Sequence, residues 1–144
     1  MLVRCLYASR AIDQQDAGAL NSILAQSRRN NAACGVTGLL CVAGPVFIQV
    51  LEGGRDEVSS LYNRIARDDR HKDVCLLLYQ EISHRRFAHW SMGAVDLSKV
   101  NAALLLKYFR RAELDPFGSP GEATLSLLNE LLETGSIVGR SEHA

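Results

Sequence analysis

Apolar positions in this chain alternate between a period of two and a period near three and a half, and each switch marks a new element. Residues 2–7 read as a first strand, with Val3, Cys5 and Tyr7 on one face. Asp13 and Asp16 resemble a helix start. Leu20, Ile23 and Leu24 then form a stripe at i, i+3 and i+4, which predicts a helix to about Arg29 and a loop over residues 30–35. Residues 36–42 and 46–51 are two strands joined by Ala43-Gly44-Pro45, a spacing that predicts a hairpin. Glu52-Gly53-Gly54 breaks the second of them. A stronger helix follows, with Val58, Leu61, Tyr62, Ile65 and Ala66 on one stripe. Asp68-Asp69-Arg70-His71-Lys72-Asp73 is a polar turn, residues 74–80 a fourth strand, and Ser83-His84-Arg85-Arg86 another turn. Trp90, Met92 and Ala94 share one face of an expected fifth strand.

The order β-α-β-β-α-β-β predicts an α+β fold, a ferredoxin-like sandwich whose mostly antiparallel sheet carries the two helices on one face. Two additional C-terminal helices follow. Ser98 is placed to cap the first, rich in Leu104, Leu105, Leu106, Tyr108 and Phe109, and Leu114-Asp115-Pro116 ends it. Ser119-Pro120-Gly121-Glu122 opens the second, with a capping Ser, Pro at the first helical position and Glu where a capping box needs it. Leu125, Leu128, Leu131 and Leu132 form its stripe, and Gly135 suits its C-cap. These helices either cover the second sheet face or serve self-association. The expected organisation is a domain over residues 1–96, a helical extension over 97–135 and a frayed tail over 136–144.

Composition narrows the function more than it names it. Apolar residues make up 47% of the 144 and charged residues 22%, with zero formal net charge. That gives no global electrostatic case for nucleic acid or an anionic membrane. Positive charge is mostly arginine, which suits forked contacts to carboxylate or phosphate. Cys5, Cys34, Cys41 and Cys75 form no Cys-x-x-Cys pair and read as free thiols in a reducing compartment. With no signal-peptide pattern and no apolar run of membrane-spanning length, a cytoplasmic location is expected.

No Walker A loop, G-x-G-x-x-G, H-E-x-x-H or G-x-S-x-G motif is present, and the four histidines lack metal-ligand spacing. Asp68-Asp69 reads as a helix-terminal turn rather than a pair of catalytic carboxylates. What stands out is polar chemistry on core elements. Gln49 lies within Val46-Phe47-Ile48-Gln49-Val50-Leu51, a run that otherwise reads as a buried strand. Burying an amide without partners costs about 2–7 kcal/mol, so something inside the fold must bond to it. Tyr7 ends the first strand, and adjacent central strands would turn Tyr7 and Gln49 toward the same helix-covered space. Asn31, Arg64, Asp68, Trp90 and Met92 complete the set.

Tyr7, the stretch Arg29-Asn30-Asn31-Ala32-Ala33-Cys34-Gly35-Val36-Thr37-Gly38-Leu39-Leu40, the stretch Phe47-Ile48-Gln49-Val50-Leu51-Glu52-Gly53, the turn Asp68-Asp69-Arg70-His71 and the stretch Arg85-Arg86-Phe87-Ala88-His89-Trp90-Ser91-Met92 together resemble the BLUF family, blue-light sensors using flavin. The match covers roughly residues 1–95, and the whole chain is similar to short stand-alone members with two C-terminal helices. The resemblance implies a photosensory domain holding a flavin, usually FAD with FMN or riboflavin as alternatives, between sheet and helices. It implies that Tyr7 gives an electron and a proton to the excited flavin, and that Gln49 bridges the phenol and the flavin. It implies that Asn31 bonds the flavin amide edge and that Ile23 and Ile65 sandwich the ring. Asn30, Arg64, Asp68, Arg70 and His71 align with a polar rim toward the C2 carbonyl and the ribityl-phosphate side. Trp90 and Met92 match residues that report the flavin state.

The function so implied is a photoreceptor and not an enzyme. With no appended output domain, it would signal by contact with a downstream protein, as a homo-oligomer, without nucleic acid or membrane. The competing readings are a flavin-dependent oxidoreductase, for which no nicotinamide site is seen, and a ferredoxin-like binding or assembly module without chromophore.

Overall fold

A computed structural model describes residues 1–12 and 17–134, with the backbone alone for 17–24. The expected helix start at Asp13 and Asp16, the Gly135 cap and the tail over 136–144 therefore lie outside the described residues, as do the side chains of the Leu20, Ile23 and Leu24 stripe. Strands β1 (Leu2–Ala11), β2 (Thr37–Ala43), β3 (Val46–Gly54), β4 (His71–Ile82) and β5 (Gly93–Asp96) form one sheet in the order β4-β1-β3-β2-β5. Every neighbouring pair is antiparallel except β2 with β5. Helices α1 (Ala17–Cys34) and α2 (Arg55–Ala66) belong to the ferredoxin-like half, and α3 (Ala102–Tyr108) and α4 (Gly121–Glu133) follow it.

Strand alternation sorts the core into two layers. Val3, Cys5, Tyr7, Leu40, Leu51, Val58 and Met92 pack together on the face that carries α2, joined by Leu61, Tyr62 and Ile65. Leu6, Ala8, Leu39, Cys41, Ile48 and Val50 face the other way, against Leu105, Leu125, Leu127, Leu128 and Leu131 of α3 and α4. The C-terminal helices thus cover the second sheet face. Tyr7 is the register partner of Gln49, and Gln49 that of Leu40, so three residues on one face stand in a row across β1, β3 and β2.

Several boundaries differ from the sequence pattern. Helix α1 runs on through Asn30 and Asn31 to Cys34, and the chain turns at Gly35, whose φ of 72° suits a helix C′ residue. The Val36 amide caps that end by donating to Asn31 O at 2.8 Å. Strand β3 extends through Glu52-Gly53 to Gly54, and β4 begins at His71 because Arg10 and Ala11 pair with Lys72 and His71. Asp73 breaks the regular twist there with a φ of 55°. Asn101, not Ser98, caps α3 by accepting from the Ala103 amide at 2.7 Å; Ser98 lies in a single 3-10 turn (Leu97–Lys99) capped by Asp96. Helix α3 stops at Tyr108, short of Leu114, and α4 starts after Pro120 without a side-chain cap bond, so Ser119 does not act as its cap.

The fifth strand differs most. It covers only residues 93–96, and Trp90 and Met92 precede it. They do not share a face. Trp90 packs with Phe87 in the layer under α3 and α4, whereas Met92 packs in the layer with Tyr7 and Val58. Period-two alternation does not apply before the strand begins, so the chain crosses from one layer to the other between these residues. Gly38 permits the close approach of β2 to β3, since a Cβ there would lie 1.9 Å from Val50 O, and its amide donates to Trp90 O at 2.9 Å.

Candidate functional site

A cleft opens between the sheet and the helices, with about 840 Å³ of space when its open mouth is included. Tyr7 and Gln49 form its sheet wall with Leu40 and Phe47, Leu61 and Ile65 bring an apolar wall from α2, and Asn30 and Asn31 line it from the last turns of α1. Arg64, Asp68, Arg70 and His71 close the remaining side. The structure therefore brings Tyr7, Asn30, Asn31, Gln49, Arg64, Ile65, Asp68, Arg70 and His71 together, whereas Trp90 and Met92 do not line the cleft. Ile23 lies in α1, but its side chain is outside the described residues.

Tyr7 and Gln49 are both buried, at 3% and 4% exposure. The phenol donates to Gln49 Oε1, and Gln49 Nε2 donates to Met92 Sδ at 3.4 Å. The amide thus links a phenol on one side to a thioether, a weak acceptor, on the other. Burial pushes the Tyr7 phenol well above its ordinary pKa, with smaller contributions from Cys5, Tyr62 and Asp68. The same burial raises the neighbouring Cys5 thiol to about 12. Both groups are neutral, and the Tyr7 ring is braced edge-on by Tyr62, with centroids 5.7 Å apart.

The rim is ordered by its own charges. Arg70 folds onto Asp68, with Nη2 at 2.6 Å from Oδ2 and Nε bonded to both carboxylate oxygens, and reaches Gln26 Oε1 at 3.3 Å. Its guanidinium lowers the Asp68 pKa below the ordinary carboxylate value. His71 bridges Ser9 Oγ, at 2.8 Å from Nδ1, and Ile65 O, at 2.6 Å from Nε2. A carbonyl only accepts, so Nε2 carries the proton. The Arg64 side chain makes no ion pair or hydrogen bond among the described residues.

Contacts not foreseen from sequence tie the cleft to the segment before β5. Asn31 Nδ2 donates to Ser91 O at 3.3 Å, and Arg28 Nε donates to Met92 O at 3.0 Å. Gln26, Ser27, Leu40, Phe47 and Leu61 also line the cleft. Leu61 and Phe47 carried a signal only as apolar stripe and strand residues. Nothing in a single sequence marks Arg28, whose partner is a backbone carbonyl 64 residues away. On the opposite face, Trp90 Nε1 is buried with no hydrogen-bond partner among the described residues. Among the described residues no group of His, Cys, Asp and Glu could hold a metal, and no helix is long and apolar enough to cross a membrane. All four cysteines are free thiols.

A flat ring system fits this chemistry: apolar walls, amide groups on adjoining edges and, at one end, an arginine whose side chain has no partner among the described residues. Fold and cleft together define a ferredoxin-like scaffold with a cleft between sheet and helices. Residues 2–93 match the family described as BLUF, sensors of blue-light using FAD. The chain belongs to the BLUF family, whose members are flavin-binding blue-light photosensors. It is 32% identical over 97 residues to the blue light- and temperature-regulated antirepressor BluF of Escherichia coli (strain K12), covering 67% of this chain and 24% of that protein. It is 33% identical over 92 residues to the photoactivated adenylate cyclase subunit beta of Euglena longa, covering 63% of this chain and 11% of that one. The chain thus spans a quarter or less of these curated relatives. Among solved structures it resembles the photo-activated state of BlsA, with a TM-score of 0.81, 29% identity and coverage of 92% of this chain and 95% of that one. The dark-state structure of the BLUF protein BlrB is similar at a TM-score of 0.78 and 28% identity, with coverage of 93% and 96%.

Proposed function

We propose that Tyr7 and Gln49 are the photoactive pair of a blue-light switch that consumes no substrate, and that the chain is not itself an enzyme. The observation that carries this reading is the buried hydrogen bond from the Tyr7 phenol to the Gln49 carbonyl in the wall of the cleft. A bound flavin, FAD in our reading with FMN or riboflavin as the competing forms, supplies a strong oxidant when it absorbs blue light. Tyr7 is kept protonated by burial, so loss of its electron is coupled to loss of its proton. The acceptor at hand is Gln49 Oε1. Gln49 carries donor and acceptor on one planar group, so it can take a proton at one end and release one at the other. It can also return rotated, with Nε2 withdrawn from Met92 Sδ.

Two arrangements of Gln49 would then bias two arrangements of the segment around Met92, which is what a switch requires. Trp90, two residues earlier and against the C-terminal helices, would carry the change to the opposite face. Within the cleft, Ile65 and Ile23 would flank the ring and Asn31 would take its amide edge. Asn30, Arg64, Asp68, Arg70 and His71 would form the polar rim. Arg64 is the cation best suited to phosphate, because Arg70 is already engaged by Asp68. The signal would leave by contact with a second copy or a downstream protein; the antirepressor description of the Escherichia coli relative supports a protein partner.

The purified protein should be yellow, release flavin on denaturation, and show a red-shifted spectrum in blue light that recovers in darkness. A colourless protein that fails to take up added flavin would overturn this function.

A further inference from the structure

The Glu52 side chain, at 0% exposure, is the most completely buried charge in the described core. By strand alternation it lies on the face opposite the cleft, beside its register partner Arg4. Arg4 Nε and Nη2 both reach Glu52 Oε2 at 2.7 Å, and Arg4 Nη1 donates to Gln80 Oε1 at 3.0 Å. The carboxylate has further work. Glu52 Oε1 accepts the Phe87 amide at 2.7 Å and the Arg86 amide at 2.9 Å. Arg85 Nη1 adds bonds to Thr37 Oγ1 at 3.1 Å and to Glu52 O at 3.3 Å. Residues 85–87 lie between strands β4 and β5, outside any sheet ladder, so these bonds fasten them where no neighbouring strand does.

The segment from Arg86 to Met92 is therefore held at two ends of different kind. Its first end is fixed by Glu52 on the face opposite the cleft, where Phe87 and Trp90 pack. Its last end, Ser91 and Met92, hangs on the cleft residues Asn31 and Gln49 and on Arg28 of α1. A displacement at Met92 moves Trp90 only if the first end stays in place; a loose first end would absorb it as loop motion.

We infer that Glu52 is a positioning residue whose buried carboxylate anchors the Arg86–Phe87 backbone as the fixed end of the segment carrying Trp90 and Met92. The anchor is a property of the dark protein. Its role in transmission rests on the photosensor reading proposed above.

The test is amide hydrogen exchange by NMR on the full-length protein as purified, in darkness. The Arg86 and Phe87 amides should exchange about tenfold or more slowly than those of Ala88 and His89, as bonded groups do. In Glu52→Gln, which sets an amide N–H₂ among donors, that protection should fall by about tenfold while the β1–β3 ladder keeps its own. Trp90 is the only tryptophan, so one indole resonance reports its site, and it should shift or broaden in the variant. Unprotected Arg86 and Phe87 amides in the unaltered protein would overturn the anchor even if Glu52→Gln fails to fold. So would an unchanged Trp90 resonance in a folded variant. Under blue light, Glu52→Gln should keep the flavin red shift but lose the light-induced change at Trp90; retention of that change would overturn the transmission role. Absence of any red shift in the unaltered protein would defeat the photosensor reading and leave the dark-state arms to judge the anchor.

Discussion

Tyr7 and Gln49 stand opposite each other across β1 and β3, and the phenol of one donates to the amide oxygen of the other. The opposite end of the same amide donates to Met92, on the stretch of chain that passes from one core layer to the other between Trp90 and Met92. A change in which end of Gln49 donates is thus felt both in the cleft and in that crossing. Replacing Tyr7 by Phe leaves the buried Gln49 carbonyl without its donor. The expected cost is about 1–3 kcal/mol in urea unfolding, with flavin retained and the reversible red shift gone. A persistent red shift in Tyr7→Phe would reject the phenol as the donor.

The pH dependence follows from Tyr7. Its pKa is raised in the folded state above the ordinary value of 10.0, so folded and unfolded chains both keep the proton at neutral pH. Above pH 10 the unfolded chain releases it and the folded chain does not, so stability falls as pH rises beyond that point. The red-shift amplitude should be flat from pH 6 to 9 so far as Tyr7 is concerned, and thermal unfolding should show the loss only above about pH 10. A titration of the red shift near pH 8 would mean that the phenol is far less buried than it is here.

Arg64 should distinguish flavins. It lines the cleft with no partner among the described residues, whereas Arg70 is closed on Asp68. Arg64→Met should weaken FMN or FAD binding by about tenfold, or ~1.4 kcal/mol, and leave riboflavin binding nearly unchanged. Fluorescence titration of the flavin-stripped protein measures both. Equal losses for phosphorylated and unphosphorylated flavins would place the phosphate elsewhere.

Much of this site was legible before the structure, for physical reasons specific to each residue. Period-two alternation puts Tyr7 with Cys5 and Gln49 with Leu51, and a ferredoxin-like order makes their strands neighbours; the register partners are the direct outcome. Asn30-Asn31 has the composition of a loop, which predicts that the helix ends before it. Burial of Asn31 against Ser91 O, a tertiary contact, lets the helix run on. Trp90 and Met92 do not share the face that alternation predicts for them, because both precede β5 and the chain there is not a strand. Glu52 read as part of a strand-breaking Glu-Gly-Gly. Its partners are Arg4 and two backbone amides more than thirty residues away, which leave no local trace in the sequence.

Met92→Leu separates photochemistry from transmission. The swap nearly conserves volume, so stability should change by less than about 1.5 kcal/mol. Gln49 Nε2 loses its sulfur acceptor, while Tyr7 keeps Gln49 Oε1. The red shift should still form, and the light-induced change in the Trp90 indole resonance should shrink. A full Trp90 response in Met92→Leu would show that the signal leaves by another route.

The most direct measurement is the light-minus-dark visible spectrum of Gln49→Leu beside that of the unaltered protein, at equal flavin content. The smaller apolar side chain of Leu removes both hydrogen bonds of the amide and leaves the position apolar between Phe47 and Leu51. The expected result is a reversible red shift in the unaltered protein and none in the variant, with flavin bound in both. A red shift of undiminished size in Gln49→Leu would contradict the assignment of the switch to this residue.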